Sequence, residues 1–406
     1  MSNRLPHKEG REGDHMDWSK FSFDFHLNEL GTIAQLIAIE AYKEAALNLV
    51  LPSAWREQLD KLNRVRAVYG TTALEGNPLS EGEVSQQMEV SAEPPQQRAT
   101  KEQIQIRNAW QAQQWIRLRC NPENAPLQVS DILRLHKIVT THSDERNNAP
   151  GQFRTFSVTV GSQDMGGVHR GAPAETIPTL MDAYVEFINS RHLKDRHPVI
   201  QALLAHFFLV TIHPFGDGNG RVSRLVEAGL LFQGGYNVHG FYGLSNYFYR
   251  NEAEYKTLLQ RCREQQPFEV MPFVAFGLTG FASELSGINN FIKTKLNRVV
   301  YRDTLVRAFN KRASDRRRLL NQREYHLLEF LLDETEPTDP FSNSPSKQIK
   351  ISELREASFI KAAYSRVTPR TFIRELLRLA NLGFIGFTRT DNGAIINLDF
   401  GAIEKH

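Results

Sequence analysis

The sequence has little of several features that define common protein classes. Only two of its 406 residues, Cys120 and Cys262, are cysteines, which excludes a disulfide framework or a cysteine-based zinc site and suits a reducing compartment. The sequence shows no run of roughly 18 apolar residues for a membrane span, and its first residues lack the apolar core of a signal peptide. The net charge of +3 gives no global reason to expect a polyanion as partner. We therefore expect a globular cytoplasmic protein that binds no membrane.

The chain has enough apolar residues for a sizeable core, and it is long enough for two or three domains. Hydrophobic residues make up 41% of it. The composition and the spacing of apolar residues divide the chain into several predicted segments. These are a disordered tail at 1–20, an N-terminal helical region at 21–125, a helical domain at 126–290, a basic linker helix at 291–318, and a winged helix-turn-helix domain at 319–406.

Apolar residues recur at helical spacing through most of the first 290 residues. Ser53 is placed to cap the second helix of a hairpin, and Gly76 followed by Pro78 predicts the end of a short helix. The period changes at 156–160, which alternates like a strand before the turn residues of 161–171, so we expect a β-hairpin there. The predicted helices are 28–50, 53–70, a short helix at about 68–77, 101–119, 130–142 with Ser130 as its cap, 177–189, 198–212 and 219–232.

The last third of the chain is first basic and then changes composition. Ten Lys and Arg but only two Asp lie between Lys293 and Arg318, which is typical of an amphipathic helix with a solvated basic face. The order of elements predicted beyond it is that of a winged helix-turn-helix. The predicted elements are a helix at 321–332, a strand at 348–351, a helix capped by Ser352, a helix opened by Thr368-Pro369, and a hairpin turned by Asp391-Asn392-Gly393.

Arginines recur every four residues on the predicted recognition helix of this module. Arg370, Arg374 and Arg378 would form one basic stripe, and Arg389 would lie in the wing. Such a stripe suits phosphate contact in a DNA groove. A protein-interaction module or a purely structural one is equally compatible with the sequence.

The most informative segment is 213–224, HPFGDGNGRVSR. The glycine-rich start of a helix leaves backbone N–H groups open to an anion, and the helix dipole adds to their attraction. Arg221 and Arg224, three residues apart on the first turns of that helix, can hold one phosphate chain. The residues that would form this anion site are Gly218, Asn219 and Gly220.

Two further residues of the segment bring chemistry to the anion site. Asp217 offers a hard oxygen ligand for Mg²⁺ beside the phosphates. His213 is placed to accept a proton from an attacking hydroxyl. A glycine-rich interhelical turn with solvated arginines is the simpler interpretation of the glycines alone. It does not explain a histidine, an aspartate and two arginines at fixed spacing, and a G-x-x-x-x-G-K-[ST] loop is absent.

The segment resembles the signature of Fic-domain proteins, H-x-F-x-[DE]-G-N-G-R-x-x-R, and every specified position is matched. The resemblance implies a mainly α, helical Fic fold with a β-hairpin flap, beside the C-terminal winged helix-turn-helix. It also implies transfer of AMP from ATP to a Tyr, Thr or Ser hydroxyl of a protein, with release of pyrophosphate. By this resemblance His213 is the base, Asp217 holds Mg²⁺, 218–220 bind the inner phosphates, and Arg221 and Arg224 bind the outer ones.

The resemblance extends to the predicted β-hairpin. Gly151, Phe153, Arg154 and 158–161 are similar to the family's flap, which aligns a target peptide by strand addition. In the family a pair of aromatic residues beyond the motif lines the adenine pocket, and in Glu254-Tyr255-Lys256 only the first of the pair, Tyr255, is present. The residues that the resemblance places around the nucleotide here are Val160, Gly161, Ser162, Gln163 and Tyr255.

A second match precedes the helical domain. Thr71-Thr72-Ala73-Leu74-Glu75-Gly76 is similar to the family's inhibitory motif, [ST]-x-x-x-E-[GN], carried N-terminally in the same polypeptide. Glu75 paired with Arg224 would occupy the arginine that holds the γ-phosphate, so that ATP would bind only in an unproductive pose. The inhibitory residues implied here are Thr71, Glu75 and Gly76.

Other interpretations stay open at this point. Glu75 could orient a water molecule and remove AMP, or the donor could be a different nucleotide or phosphorylated metabolite. The chain could instead be a DNA-binding regulator whose Fic domain senses a nucleotide. A homodimer is also open. His136, His142 and His206 lie on or beside apolar helices, where hydrogen-bonded structural histidines are expected.

Overall fold

A computed structural model describes residues 16–90, 99–121, 125–144, 148–162, 167–241, 243–314, 317–337, 347–390 and 393–406. The chain divides into two compact units, Met1–Leu285 and Ser286–His406. The first unit is helical, as the apolar periodicity predicts. Its helices are α1 (Ile33–Leu47), α2 (Ser53–Ala73), α3 (Glu81–Val90), α4 (Lys101–Arg119), α5 (Val129–Thr140), α6 (Ile177–Asn189), α7 (Arg191–Lys194), α8 (Pro198–Ile212), α9 (Asn219–Gln233), α10 (Ser245–Arg250) and α11 (Glu252–Arg261), followed by the start of α12 (Met271–Asn310).

Two central helices carry the motif between them. The sequence of α8, PVIQALLAHFFLVTI, is almost wholly apolar, and 13 of its residues are buried, so it runs through the core instead of along the surface. Pro198 begins it at a position where a missing N–H costs nothing. His213 ends it in the left-handed conformation, with φ 56°, and Gly218, with φ 82°, precedes α9. The motif therefore occupies a tight turn between two buried helices.

The end of α2 differs from the sequence prediction. A separate short helix at 68–77 was expected, but α2 continues without a break to Ala73. Thr71 lies in its last turn, and Glu75 lies in the turn that follows. Gly76, with φ 83°, stops the chain from continuing as a helix, as predicted.

Several predicted caps were wrong. Ser53 is the first residue of α2 and Pro52 takes the cap position, so no side-chain cap forms there. α5 begins at Val129, and Gln128 with Asp131 forms its capping box in place of Ser130. The helices start one and two residues earlier than the polar side chains suggested, which is the usual uncertainty of helix ends.

The predicted β-hairpin forms from β2 (Thr159–Ser162) and β3 (Gly167–Arg170), which pair antiparallel. The first strand starts three residues later than the alternation at 156–160 suggested. Gly161, with φ 92°, faces Val168, and a Cβ at Gly161 would lie 2.5 Å from the Gly167 carbonyl oxygen. Gln163 lies outside the described residues.

The N-terminal residues are ordered earlier than expected. A disordered tail was predicted for 1–20, but Trp18–Lys20 form a 3-10 turn, and Trp18 Nε1 donates to the Arg170 carbonyl at 3.3 Å. A parallel pair of two-residue strands, β1 (Phe25–His26) and β4 (Phe268–Glu269), then joins the two ends of the first unit. Strands this short carry no periodic signal, so the sequence did not predict them.

α12 replaces the predicted linker helix. It is one 40-residue helix that starts at Met271, well before 291, and ends at Asn310, before the last basic residues. Those residues form the short pair β5 (Arg312–Ser314) and β6 (Arg317–Arg318). Among the described residues α12 alone has the length and composition to cross a membrane, but 56% of its most apolar window is buried in the protein, as in a core helix.

The second unit has the predicted order of elements with two additions. These are the short helices α15 (Ser358–Ala363), before the predicted recognition helix, and α17 (Ala402–Lys405), after the hairpin. Its sheet has the order β7 (Ile349–Lys350), β9 (Gly393–Leu398), β8 (Ile385–Thr390). The helix expected to be capped by Ser352 starts two residues earlier, at Ile351. The turn at Asp391-Asn392 lies outside the described residues. The elements are α13 (Gln322–Glu334), β7 (Ile349–Lys350), α14 (Ile351–Glu356), α15 (Ser358–Ala363), α16 (Pro369–Asn381), β8 (Ile385–Thr390), β9 (Gly393–Leu398) and α17 (Ala402–Lys405).

A single apolar core holds the second unit together. Tyr301 and Leu305 of α12 belong to this core with Leu328, Phe372 and Phe384. The basic helix segment is therefore amphipathic, as predicted, but its apolar side is part of a domain core and not a free linker.

Candidate functional site

His213 lies at the C-terminal end of α8 with one ring nitrogen occupied. Its Nδ1 lies 3.3 Å from the Val210 carbonyl oxygen, and its backbone carbonyl accepts a hydrogen bond from Arg154 Nε at 2.8 Å. Because Nδ1 donates to a carbonyl, Nε2 keeps a lone pair and can accept a proton. Burial lowers the pKa of His213 to about 4, and the nearby cations Arg263 and Arg154 act in the same direction. The ring is therefore a neutral base at physiological pH.

The loop after His213 is closed by side chains of the motif and of α5. Asn219 Oδ1 accepts from the Phe215 backbone N–H and Asn219 Nδ2 donates to the Phe215 carbonyl, both at 2.9 Å. The Phe215 ring stacks on His136 at 3.8 Å, and His136 Nδ1 accepts from the Gly151 N–H at 3.0 Å. The Asn219 side chain thus shapes the loop, and only its backbone at the start of α9 faces an anion site. The structural role expected for His136 is observed.

The other two histidines lie in different surroundings. His206 is buried, with Nδ1 2.6 Å from Glu227 and Nε2 2.9 Å from the Tyr255 hydroxyl. His142 follows α5 in a left-handed conformation with φ 62°. Neither lines the cavity described below.

The start of α9 already holds an anionic group of the protein. A Cβ added to Gly220 would lie 2.4 Å from Glu75 Oε1 and 2.9 Å from the Arg224 guanidinium, so only glycine lets this carboxylate approach the backbone. The position is where a phosphate would bind at a helix N-terminus. A carboxylate at this position shows that the chemistry of the cradle suits an anion.

Arg224 is bound by Glu75, as the sequence predicted, and also by Thr71 of the same motif. Its Nε donates to Thr71 Oγ1 at 2.9 Å, and one of its terminal nitrogens reaches the Thr71 carbonyl at 3.1 Å and Glu75 Oε1 at 2.6 Å. Arg224 is buried, whereas the Glu75 side chain is 29% exposed. Burial raises the pKa of Glu75, but Arg224 and then Arg221 outweigh it, so that the pKa is lowered and the carboxylate is ionised at neutral pH.

Arg221 is bound by two carboxylates other than that of Glu75. Its terminal nitrogens donate to Asp144 Oδ2 at 2.7 Å and to Asp217 Oδ1 at 3.1 Å. Its Nε is buried and has no hydrogen-bond partner among the described residues. A buried N–H without a partner costs free energy unless a bound group, such as a phosphate oxygen, accepts from it.

The residues that hold Arg221 in place could not be predicted from the sequence. Asp144 is buried and also accepts from Gln105 Nε2 at 3.0 Å, and Gln105 Oε1 in turn accepts from Asn77 Nδ2 at 2.9 Å. This chain of hydrogen bonds joins the end of the Glu75 turn to Arg221 and Asp217. Its members come from four distant segments, so no spacing in the sequence could reveal it.

Asp217 is the residue that could hold a metal ion. Its side chain is 47% exposed, and its contacts with Arg221 and the Gly218 N–H both use Oδ1. Oδ2 has no hydrogen-bond partner among the described residues. Among the residues that the structure describes, no group of three or more His, Cys, Asp or Glu side chains could hold a metal ion. One carboxylate fits Mg²⁺ only if phosphate oxygens and water complete its shell.

A cavity of about 400 Å³ lies beside His213, Glu75 and Arg224. This size falls within the range of small-molecule sites. The predicted nucleotide residues Val160, Gly161, Gly220, Arg224 and Tyr255 line it, and Ser162 is described only as a residue of β2. The other predicted residues of the motif are not among its lining residues; these are Asp217, Gly218, Asn219 and Arg221. The lining residues are Leu74, Glu75, Val160, Gly161, Gly167, Val210, His213, Gly220, Arg224, Tyr255, Lys256, Leu259, Gln260 and Arg263.

The far end of the cavity contains residues that the sequence did not single out. Arg263 Nε donates to Thr211 Oγ1 at 3.0 Å, and burial lowers the pKa of Arg263 to about 10. The Tyr255 ring stacks on Phe248 at 4.6 Å, so one of its faces is already covered. A base bound here would therefore meet aliphatic side chains such as Leu259 as well as Tyr255.

His213 also lines a second cavity on the other side of the hairpin. This groove has a volume of about 420 Å³ and is lined by Phe156, Val158, Thr159, Val160, His213 and Gly216. β2 pairs with β3 on one edge only, so its other edge is free to pair with an extended peptide. Arg154 fixes the base of the hairpin, because it donates to the carbonyls of Phe156 and Ala172 as well as that of His213.

Comparison with known proteins identifies this region. Residues 126–231 match the Fic/DOC family. Over 110 residues the chain is 42% identical to the protein adenylyltransferase Fic of Drosophila erecta and 44% identical to that of Drosophila ananassae. The match covers 27% of this chain, and 21% and 20% of the two relatives. The chain thus spans about a fifth of the length of the curated relatives that it matches.

Solved structures show the same fold. A Fic family protein from Desulfovibrio desulfuricans is 16% identical, with a TM-score of 0.54, and the similarity covers 93% of this chain and 98% of that one. Fic-1 from C. elegans is 21% identical, with a TM-score of 0.53, and covers 66% and 75% of the two chains. The mainly helical fold with its hairpin is that of Fic proteins. Residues 126–231 therefore match the Fic/DOC family in sequence, within a chain whose fold is that of Fic proteins.

Proposed function

We propose that the protein is an autoinhibited adenylyltransferase that transfers AMP from ATP to a hydroxyl group of a protein. One observation carries this proposal. His213 lines both the cavity that holds Arg224 and the groove along the free edge of β2. A neutral base between an anion site and a peptide-binding edge can serve a hydroxyl that enters from one side and a phosphate bound on the other.

The step that these residues support is a substitution at phosphorus. A Tyr, Thr or Ser hydroxyl of a target lying along β2 attacks the α-phosphorus of ATP. Its proton passes to Nε2 of His213, the bond from the α-phosphorus to the bridging oxygen breaks, and pyrophosphate leaves. His213 is neutral because of its burial, and it is oriented by the Val210 carbonyl, so no prior deprotonation is needed.

The anion site provides binding and charge stabilisation for this step. The N–H groups of 218–220 would hold the inner phosphates, and Arg224 would hold the γ-phosphate once Glu75 leaves it. Arg221 would contribute its free Nε while its terminal nitrogens keep Asp217 in place. Mg²⁺ bound at Asp217 Oδ2 would neutralise developing negative charge on the phosphates.

Glu75 supplies the inhibition in this proposal. Its carboxylate lies against Gly220 and binds Arg224, so it occupies both the cradle and the cation that a γ-phosphate needs. A productive phosphate chain and the Glu75 carboxylate would bring like charges together at one site. Movement of the turn after α2 would free the site without any change in α8 or α9.

Transfer of radiolabel from α-labelled ATP tests the proposal. Glu75→Gly should label itself and proteins of a lysate strongly, and wild type weakly. Glu175→Gly is a matched control, because Glu175 is an exposed carboxylate that lines neither cavity and has no ion pair among the described residues. Mass spectrometry should find an added AMP on a hydroxyl. Another added group would point to a different donor, and release of AMP from a modified protein would point to the reverse reaction.

The second unit has the element order of a winged helix-turn-helix, and we propose DNA as a further partner on a narrower basis than the sequence suggested. Arg370, Arg374 and Arg389 are exposed and have no ion pair among the described residues. Arg378 does not join them, because it pairs with Glu324, which is fully buried. Loss of salt-dependent DNA binding by the full chain on the double change Arg370→Ala and Arg374→Ala is the test.

A further inference from the structure

A third concave surface of the first unit lies over α4 and α5 and shares no lining residue with the two cavities beside His213. Its volume is about 1250 Å³. Small-molecule sites usually measure roughly 300–1,000 Å³, so this one suits a segment of a protein chain better. We call it the α4–α5 groove, and its lining residues include Arg107, Trp115, Arg134, Lys137 and 150–152.

The α4–α5 groove is positively charged. Arg107 of α4 and Arg134 and Lys137 of α5 line it, and none of the three has an ion pair among the described residues. Of the described residues that line the groove, Asp131 is the one acid. Its carboxylate is already held by Arg119, whose nitrogens donate to it at 2.9 Å and 2.6 Å. The three cations are therefore left to bind an anionic group from outside the chain.

The two arginines of the groove are prepared for carboxylates. Arg107 Nε is buried and has no hydrogen-bond partner among the described residues, a costly state unless a bound group accepts from it. The Arg134 guanidinium lies over the half-buried Trp115 ring, 5.5 Å from its centre. Arginine binds a carboxylate through two parallel hydrogen bonds, and Trp and Arg are enriched among the residues that dominate binding energies at interfaces.

The spacing of these groups fits an extended peptide. Arg107 and Trp115 lie eight residues apart on α4, which is about 12 Å along the helix axis. An extended chain advances about 3.3 Å per residue, so about four residues cover this distance. Lys137 lies one turn after Arg134 on the same side of α5. The groove therefore matches an acidic stretch of about four or five residues.

One side of the α4–α5 groove is formed by the residues that lead into the β-hairpin. Gly151 packs so closely on Lys137 that an added Cβ would lie 3.1 Å from the Lys137 Cβ. Val158, six residues after Gln152, lines the groove beside β2 and His213. Six residues span at most about 20 Å. A peptide that pairs with the free edge of β2 can therefore reach the α4–α5 groove within about six further residues.

We propose that the α4–α5 groove binds an acidic segment of the protein that receives AMP, about six residues from the modified hydroxyl. The identity of the bound protein rests on the proposed function, whereas the binding itself does not. Arginine clusters are a recurring means of recognising acidic motifs. A single-stranded nucleic acid fits less well, because its bases need open aromatic faces and Arg134 already covers one face of Trp115.

Fluorescence anisotropy with the full chain tests the binding. The probe is a labelled peptide with a central Tyr and, on each side, a six-residue Gly-Ser linker and four glutamates. A peptide with glutamine in place of glutamate should bind at least about tenfold more weakly, and so should the glutamate peptide to Arg134→Glu combined with Lys137→Glu. Arg191→Glu changes an exposed cation of α7 without an ion pair among the described residues and should leave the affinity unchanged.

The substituted side chains are exposed, so folding should be kept, and circular dichroism verifies it. Equal affinity of the wild type and the double variant for the glutamate peptide, or no binding by either, would overturn the proposal. Tighter binding of a single-stranded oligonucleotide, lost in the same double variant, would assign the groove to nucleic acid and overturn it as well.

Transfer of radiolabel to the same two peptides tests the identity of the bound protein. In the Glu75→Gly background the glutamate peptide should have a lower KM than the glutamine peptide and a similar kcat. The Arg134→Glu and Lys137→Glu changes should remove this difference in KM and keep kcat, whereas structural damage would lower kcat for both peptides. Binding of the glutamate peptide without preferential labelling would overturn the target assignment. Absence of self-labelling by Glu75→Gly would instead contradict the proposed function and leave the anisotropy result standing.

Discussion

His213 differs from a free histidine in its protonation range. Because burial lowers its pKa to about 4, the ring remains a base at pH values where an exposed histidine would be half protonated. For Glu75→Gly, kcat/KM for AMP transfer should stay high down to about pH 5, since the base form is lost only near the lowered pKa. The loss of Glu75 does not reverse this, because Glu75 raises the pKa of His213. An acid limb near pH 6.5 would contradict the assigned environment.

His213→Ala should abolish AMP transfer in the Glu75→Gly background and leave ATP affinity nearly unchanged. The imidazole acts on the hydroxyl proton and contacts no phosphate in the proposed step. Calorimetric ATP titration and label incorporation measure the two effects separately. His192→Ala, an exposed histidine on α7, is the control and should leave both unchanged. Near-normal labelling by His213→Ala would remove the histidine from its proposed role.

Asp144 should act on the phosphate site through Arg221. Asp144→Asn keeps the size of the side chain but removes the charge that holds the buried guanidinium at 2.7 Å. Hydrogen bonds to charged groups are worth about 1.5–3 kcal/mol, so ATP affinity in the presence of Mg²⁺ should fall roughly tenfold or more. Titration in the His213→Ala background reports binding without turnover. Asp131→Asn breaks a comparable pair with Arg119 outside the site and should not change the affinity. Equal affinities for the two variants would make Asp144 a purely structural residue.

At the scale of elements, Arg224 of α9 binds Thr71 at the end of α2 and Glu75 in the turn that follows. If Glu75 masks Arg224, Glu75→Gly should increase self-modification strongly, and Glu75→Gly with Arg224→Ala should be inactive. The released arginine is itself needed for the γ-phosphate. Glu75→Gly with Arg224→Lys should restore little, because one ammonium cannot reproduce the planar two-donor grip of the guanidinium on phosphate oxygens. An active double variant would separate Glu75 from the phosphate site.

Some contacts of the site could be predicted from the sequence, and others could not. The motif and the Thr71–Glu75 pattern are local, so the pairing of Glu75 with Arg224 was predicted and is observed. The Asn77-Gln105-Asp144 chain was not, because each member is an ordinary polar residue until folding brings four segments together. The role of Asn219 was only partly predicted, since its side chain closes the loop through Phe215.

At the scale of the whole molecule, helices with continuous apolar patterns were predicted well and their joins were not. α8 and α9 match the prediction within one residue, because long apolar stretches of sequence indicate that both helices are buried. Only the basic part of α12 was predicted, as a linker helix at 291–318. The charge of the sequence changes there, but a helix can continue through such a change, and α12 starts at Met271. The β1–β4 pair joins residues far apart in the chain through two-residue strands, for which the sequence has no pattern.

The stability of the second unit provides a test that is independent of catalysis. Arg378 was expected in a basic stripe, but it binds Glu324, which is fully buried, and the Leu319 carbonyl at 2.6 Å. Arg378→Ala leaves that carboxylate buried without its cation and should lower the free energy of unfolding by about 3 kcal/mol. Arg374→Ala, an exposed position on the same helix, should change it by less than about 0.5 kcal/mol. Urea unfolding, with hydrogen exchange read in α13 and α16, measures both. If Arg378→Ala instead kept its stability and lost DNA binding, Arg378 would belong to the contact surface and not to the core of the unit.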